Sequence, residues 1–122
     1  MIGYVTLGTN DLVRAGSFYD ALLGELGATR QMELERCIFW GVGSGSPMLG
    51  LAKPFDGKPA TVGNGMMVAL AIDSHEKINM LHAKALQLGG TDEGAPGERM
   101  KGFYAAYFRD PDGNKLALFK MG

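Results

Sequence analysis

Cysteine is nearly missing from this chain: Cys37 is the only one among 122 residues, and there are only two histidines. A lone cysteine excludes an internal disulfide and any cysteine-rich zinc site. There is no surplus of positive charge either, with 12 basic against 13 acidic residues and a formal net charge of −1. That balance excludes a general nucleic-acid binder and an electrostatic membrane anchor, both of which need basic excess. No apolar run approaches the ~20 residues that span a bilayer. The opening Met1–Asp11 has neither the basic stretch nor the apolar core of an export signal, so a cytoplasmic location is expected. The remaining composition, 46% hydrophobic and 20% charged, is that of an ordinary globular protein. The length suits one compact domain, or two small half-domains sharing a core.

Glycine, by contrast, is plentiful at 19 residues, and it marks turns between short apolar runs. Residues 2–8 alternate as a strand, with Val5 and Leu7 on one face and Tyr4 and Thr6 on the other. Asn10 and Asp11 offer N-caps. Leu12, Ala15, Phe18-Tyr19, Leu22-Leu23 and Leu26 then follow at helical spacing, ended by Gly27. Strands are expected near 28–34, 37–42 and 47–53, the last two joined by a turn at 43–46. Residues 54–64, rich in Pro, Gly and Lys, read as a linker. A strand at 67–72 comes next, then a helix with Ile78, Leu81, Ala85 and Leu88 on its apolar stripe. Asp73 or Ser74 caps it, Asp73 with Glu76 having capping-box spacing, and Gly89-Gly90 ends it. Strands near 91–96, 103–109 and 115–120 complete the chain. Asp110-Pro111-Asp112-Gly113-Asn114 forms the turn between the last two.

The predicted order is therefore βαβββ, linker, βαβββ, an α+β class. An offset of 63 residues superposes the halves, pairing Leu7 with Leu70, Asn10 with Asp73, Phe18 with Leu81 and Gly27 with Gly90. This gives one domain over 1–122, with module 1 at about 1–53, the linker at about 54–64 and module 2 at about 65–122. Each half alone has little core.

Two stretches carry a resemblance. One is Ile2-Gly3-Tyr4-Val5-Thr6-Leu7 with Asp11-Leu12 and the run Phe18 to Gly24. The other is Tyr107-Phe108-Arg109-Asp110-Pro111-Asp112-Gly113-Asn114 before the final strand. The chain resembles, over about 1–120, the vicinal oxygen chelate superfamily of glyoxalases, bleomycin-resistance proteins, fosfomycin-resistance enzymes and extradiol dioxygenases. The resemblance implies paired sheets forming a cleft, with helices outside. In metal-dependent members His, Gln or Glu side chains converge on one cation. The matching positions here hold Tyr4, Met67 and Ala117, and the strand Met48–Ala52 has no Glu, Asp or His. No metal, cofactor or catalytic residue is therefore expected.

The same alternation and the family register would line the cleft with Tyr4, Thr6, Met67, Ala69, Ala105, Tyr107, Ala117 and Phe119. Phe39 or Trp40, and Leu49 or Leu51, would add walls. The resemblance also implies that the polar stretch Glu93–Lys101 is a loop closing the cleft, where Arg99 or Lys101 meets an anionic ligand. This set suits a flat, apolar ligand held by stacking; the alternative is that the same side chains fill the core. The expected function is a metal-independent small-molecule binder of the bleomycin-resistance type. The alternative is a glyoxalase-like lyase, isomerase or other enzyme in the same cleft, with Tyr4 or Tyr107 as acid or base. A homodimer is expected. His75 and His82, two helical turns and about 10 Å apart, are too distant to share a metal. Glu33, Glu35 and Arg36 read as a solvated strand end, and Cys37 as a buried apolar residue.

Overall fold

A computed structural model describes all residues 1–122. The chain divides into two units, Met1–Val62 and Gly63–Gly122, and each repeats the βαβββ order.

The first unit comprises β1 (Tyr4–Gly8), α1 (Leu12–Gly24), β2 (Thr29–Glu33), β3 (Cys37–Gly41) and β4 (Met48–Ala52). Its sheet has the order β1-β4-β3-β2, with β1 and β4 parallel and the other pairs antiparallel. The parallel neighbours are distant in sequence because α1 and two strands make the crossover between them. Asp11 caps α1, its carboxylate accepting from the Arg14 amide at 3.0 Å. The helix packs Ala15, Phe18, Tyr19, Leu22 and Leu23 into the core with Leu7, Ile38, Trp40, Leu49 and Leu51 of the sheet.

The second unit comprises β5 (Val68–Ala71), α2 (His75–Gln87), β6 (Thr91–Met100), β7 (Phe103–Arg109) and β8 (Lys115–Met121), in sheet order β5-β8-β7-β6. Again the first and last strands pair in parallel. Ile78, Leu81, His82 and Ala85 of α2 are buried, as are Ala106, Phe108, Leu116 and Leu118 of the sheet. The Asp110–Asn114 turn is built on one carboxylate. Asp110 accepts from the amides of Asp112 and Asn114 at 2.9 Å each and from the Asn114 side chain at 3.0 Å. Gly113 supplies the left-handed residue, at φ 95°.

One open choice is settled and two local expectations change. Ser74, not Asp73, caps α2, its hydroxyl accepting from the Lys77 amide at 3.1 Å. The helix ends match one residue away from the 63-residue offset. The Ala28 amide reaches back to the Leu23 carbonyl across left-handed Gly27, and the Gly90 amide reaches the Ala85 carbonyl across left-handed Gly89. Both are the six-to-one bond of a Schellman ending, so Gly89 is the true counterpart of Gly27. Finally, β6 runs to Met100 instead of stopping near Pro96, so Arg99 sits in a long hairpin rather than a loop. Register shifts along β6 absorb Pro96 and the neighbouring glycines without ending the strand.

Candidate functional site

Each sheet has one face against its helix and one face away from it, and the register decides which side chains lie on which. In the first unit the helix face is identified by contact. Trp40 lies 5.7 Å from Tyr19 of α1 and donates from Nε1 to Asp20 at 2.9 Å. Its register partners are Arg30 and Leu49, and Ile38 pairs with Leu51. Trp40, Leu49 and Leu51 therefore belong to the core beneath α1, which corrects their expected place as pocket walls. Fully burying a Trp of 150–250 Å² stabilises by roughly 4–6 kcal/mol at 25 cal/mol per Å², so the core keeps it.

The opposite face of that sheet carries Tyr4 and Thr6 of β1, Phe39 of β3 and Gly50 of β4. Tyr4 meets Phe39 edge to face at 5.3 Å. Gly50 lies opposite both Thr6 and Phe39. A Cβ at position 50 would come within 2.5 Å of the Phe39 ring. Phe39 thus lies flat over the sheet because its neighbour has no side chain. Tyr4 stays 61% exposed, while Phe39 is nearly covered at 8%.

In the second unit Tyr104 stacks on His75 of α2 at 4.0 Å and donates to Asn79 at 2.6 Å, which fixes the helix face. The other face carries Ala69, Ala105, Tyr107, Ala117 and Phe119, joined by register. Phe103 and Phe119 lie 6.0 Å apart. Rings and small residues alternate across the central strands, Tyr107 lying opposite Ala117 and Phe119 opposite Ala105, with Ala69 beside Ala117 on the edge strand. The Tyr107 ring is flanked by two cations, the Arg99 guanidinium at 5.3 Å and the Lys115 ammonium at 5.5 Å. Met67 lies exposed one residue ahead of β5.

Sequence reasoning missed the polar partners behind these faces. His82 is buried, with Nε2 3.0 Å from Asp92 and 3.2 Å from the Tyr107 carbonyl. Both partners only accept, so Nε2 carries the hydrogen and ties α2 to β6 and β7. The Gly94 amide, and secondarily His82, hold the Asp92 carboxyl below the usual carboxylate range. Arg109, whose guanidinium pairs with Glu93, braces the same hairpin.

A family profile described as glyoxalase-like domain matches residues 4–119. A solved glyoxalase/bleomycin resistance protein from Albidiferax ferrireducens is 39% identical, with 100% of this chain and 99% of that one covered and a TM-score of 0.91. The chain belongs to the glyoxalase-like family. Two other solved structures share the fold at lower identity. One, a glyoxalase/bleomycin resistance protein/dioxygenase family enzyme from Burkholderia phytofirmans, is 18% identical, with 98% of each chain covered and a TM-score of 0.78. The other is a lactoylglutathione lyase from Agrobacterium tumefaciens, 22% identical, covering 98% of this chain and 92% of that one at a TM-score of 0.71. No curated protein matches the chain.

Metal-dependent members of this glyoxalase-like fold need donors with available lone pairs. Tyr4 offers a phenol, Met67 a thioether and Ala117 nothing, and β4 presents Gly50 under the Phe39 ring. No group of three or more His, Cys, Asp or Glu comes together anywhere in the chain. His75 is stacked on Tyr104 and His82 is buried against Asp92. These residues do not fit a resident divalent cation of the kind bound by imidazole and carboxylate.

Proposed function

We propose that this chain is a metal-independent small-molecule binder of the bleomycin-resistance type, taking aromatic or largely apolar ligands on the sheet faces that point away from the helices. The observation that carries the reading is the make-up of those faces. Tyr4, Thr6 and Phe39 stand over Gly50 on one sheet, and Tyr107 and Phe119 border Ala69, Ala105 and Ala117 on the other. Rings set beside small residues suit stacking of a flat molecule, and the phenols give it direction. The position of Arg99 over Tyr107 supports a role in the same site.

The test has two steps. Tag-free, chelator-stripped protein is titrated with nickel, zinc and manganese by calorimetry, and no stoichiometric tight binding is expected. An aromatic ligand screen by thermal shift then follows. A ligand at a hundredfold its Kd stabilises by about 2.7 kcal/mol, which raises the Tm by several degrees. For a ligand on the first sheet Phe39→Ala is expected to abolish that shift, and for a ligand on the second sheet Tyr107→Ala is. Tight binding of one metal per chain would overturn the proposal and put a glyoxalase-like lyase or isomerase first.

The free, buried Cys37 accords with a reducing cytoplasm. Exposed apolar side chains such as Ile2, Val13 and Val42 accord with a homodimer, which sedimentation equilibrium checks directly. No helix is long and apolar enough to cross a membrane.

A further inference from the structure

At the edge of the first unit's sheet, where β1 and β4 end and β3 begins, the chain encloses a depression of about 880 Å³. One wall is the segment 54–59, which the composition marks as a mere linker. It is held at both ends. The Lys53 amide donates to the Arg36 carbonyl at 2.9 Å, and the Arg36 guanidinium donates to the Lys53 carbonyl at 2.8 Å. Seven residues on, the Asn10 side chain closes a two-bond ring with the backbone of Ala60, at 2.7 and 3.2 Å. Between these clamps Pro54 and Pro59 restrict the backbone, and the Gly57 amide closes a turn onto the Pro54 carbonyl at 3.1 Å. A wall fixed before binding lowers the entropic cost of binding.

The lining is cationic and partly apolar. Arg36, Lys53 and Lys58 face one carboxylate, Glu35, in a chain whose net charge is −1. None of the three cations has a carboxylate partner, although Arg30 and Arg109 both do. Phe55 leaves its ring 89% exposed, with the Arg36 guanidinium 5.4 Å from its centre, and Cys37 lies on the floor. An exposed ring backed by a guanidinium that has no carboxylate partner presents a flat apolar surface beside positive charge. A neutral apolar molecule would leave the three cations unanswered, and an inorganic anion would leave the ring uncovered.

We infer that this depression, whose lining shares no residue with the faces carrying Tyr4 and Tyr107, is a second binding site for small organic anions with a flat apolar body, such as aromatic carboxylates or sulfonates. The Arg36–Lys53–Lys58 cluster selects the charge and Phe55 selects the ring.

The probe is anilinonaphthalene sulfonate, set against the uncharged N-phenylnaphthylamine, titrated by fluorescence into the whole protein at low salt. The sulfonate is expected to bind one per chain, at least about tenfold tighter than the neutral compound, and to weaken as salt shortens the Debye length. The Lys53→Glu/Lys58→Glu double variant changes only exposed side chains. It should keep the native Tm and lose about tenfold in affinity, with Phe55→Ala weakening both probes. Amide resonances of residues 36 and 53–58 should shift on binding. Equal binding of the two probes, an unchanged affinity in the double variant, or shifts confined to residues 105–119 would overturn the inference. The last outcome would leave the proposed aromatic site standing alone, and failure of the Tyr107→Ala test would not touch this one.

Discussion

At the scale of single residues, Asp20 does more than an exposed acidic residue on a helix usually does. It accepts from Arg30 Nε and Nη2 at 2.9 and 2.8 Å and from the buried Trp40 indole at 2.9 Å. Gly16, one turn earlier in α1, makes room for this, since a Cβ there would meet the Arg30 guanidinium at 2.6 Å. A helix-interior glycine costs about 1 kcal/mol in propensity, which the Arg30 fork offsets by joining helix to sheet edge. Asp20→Ala leaves the buried indole N–H without a partner and is expected to cost about 1–3 kcal/mol in urea unfolding. The Arg30 bond is the chief cause holding the Asp20 carboxyl below its usual range. A group depressed in the folded state stabilises above its unfolded pKa, about 3.9, and loses that contribution as pH falls through its lower folded value. Asp20→Asn should therefore flatten the loss of stability below about pH 4, read from urea midpoints across that range.

At the scale of elements, the fit of β3 on β4 depends on one missing side chain. Gly50→Ala drives a methyl into the Phe39 ring and should destabilise by about 1–3 kcal/mol, as overpacking does. Phe39→Leu in the same chain should recover part of that loss, a coupling that a double-mutant cycle in urea measures. Both variants also change the face on which the aromatic ligand is proposed to sit. In the second unit the buried His82 joins α2 to its hairpin. His82→Leu removes one partner of the Tyr107 carbonyl and one of Asp92, so a Tm lower by several degrees is expected.

The internal repeat governs the whole molecule. Helices 12–24 and 75–87 stand 63 residues apart, and each begins with a side-chain cap and ends with a left-handed glycine. Repeating the topology has not repeated the chemistry. The first sheet offers Phe39 over Gly50, whereas the second offers Tyr107 and Phe119 each paired with an alanine. Trp40 is the only tryptophan and lies on the helix side. A ligand on the sheet face away from α1 is thus expected to change its fluorescence only weakly, and strong contact quenching would argue for repacking of the core.

Periodicity, caps and turn residues were enough to determine the order of elements, because each depends on neighbours a few positions apart; the repeat came from comparing the two halves, and the family from the resemblance carried by residues 2–24 and 107–114. Alternation also separated Tyr4 and Thr6 from Val5 and Leu7, since a strand turns successive side chains to opposite faces. For β3 and β4 it could not choose between Phe39 and Trp40, because every residue of Cys37–Gly41 is buried and both phases look apolar. Only the cross-strand register and the meeting of Trp40 with Tyr19 and Asp20 decided that. The burial of His82 and the clamping of segment 54–59 by Asn10 and Arg36 have the same origin. Each is settled by a partner 10 to 50 residues away, and local sequence does not encode that distance.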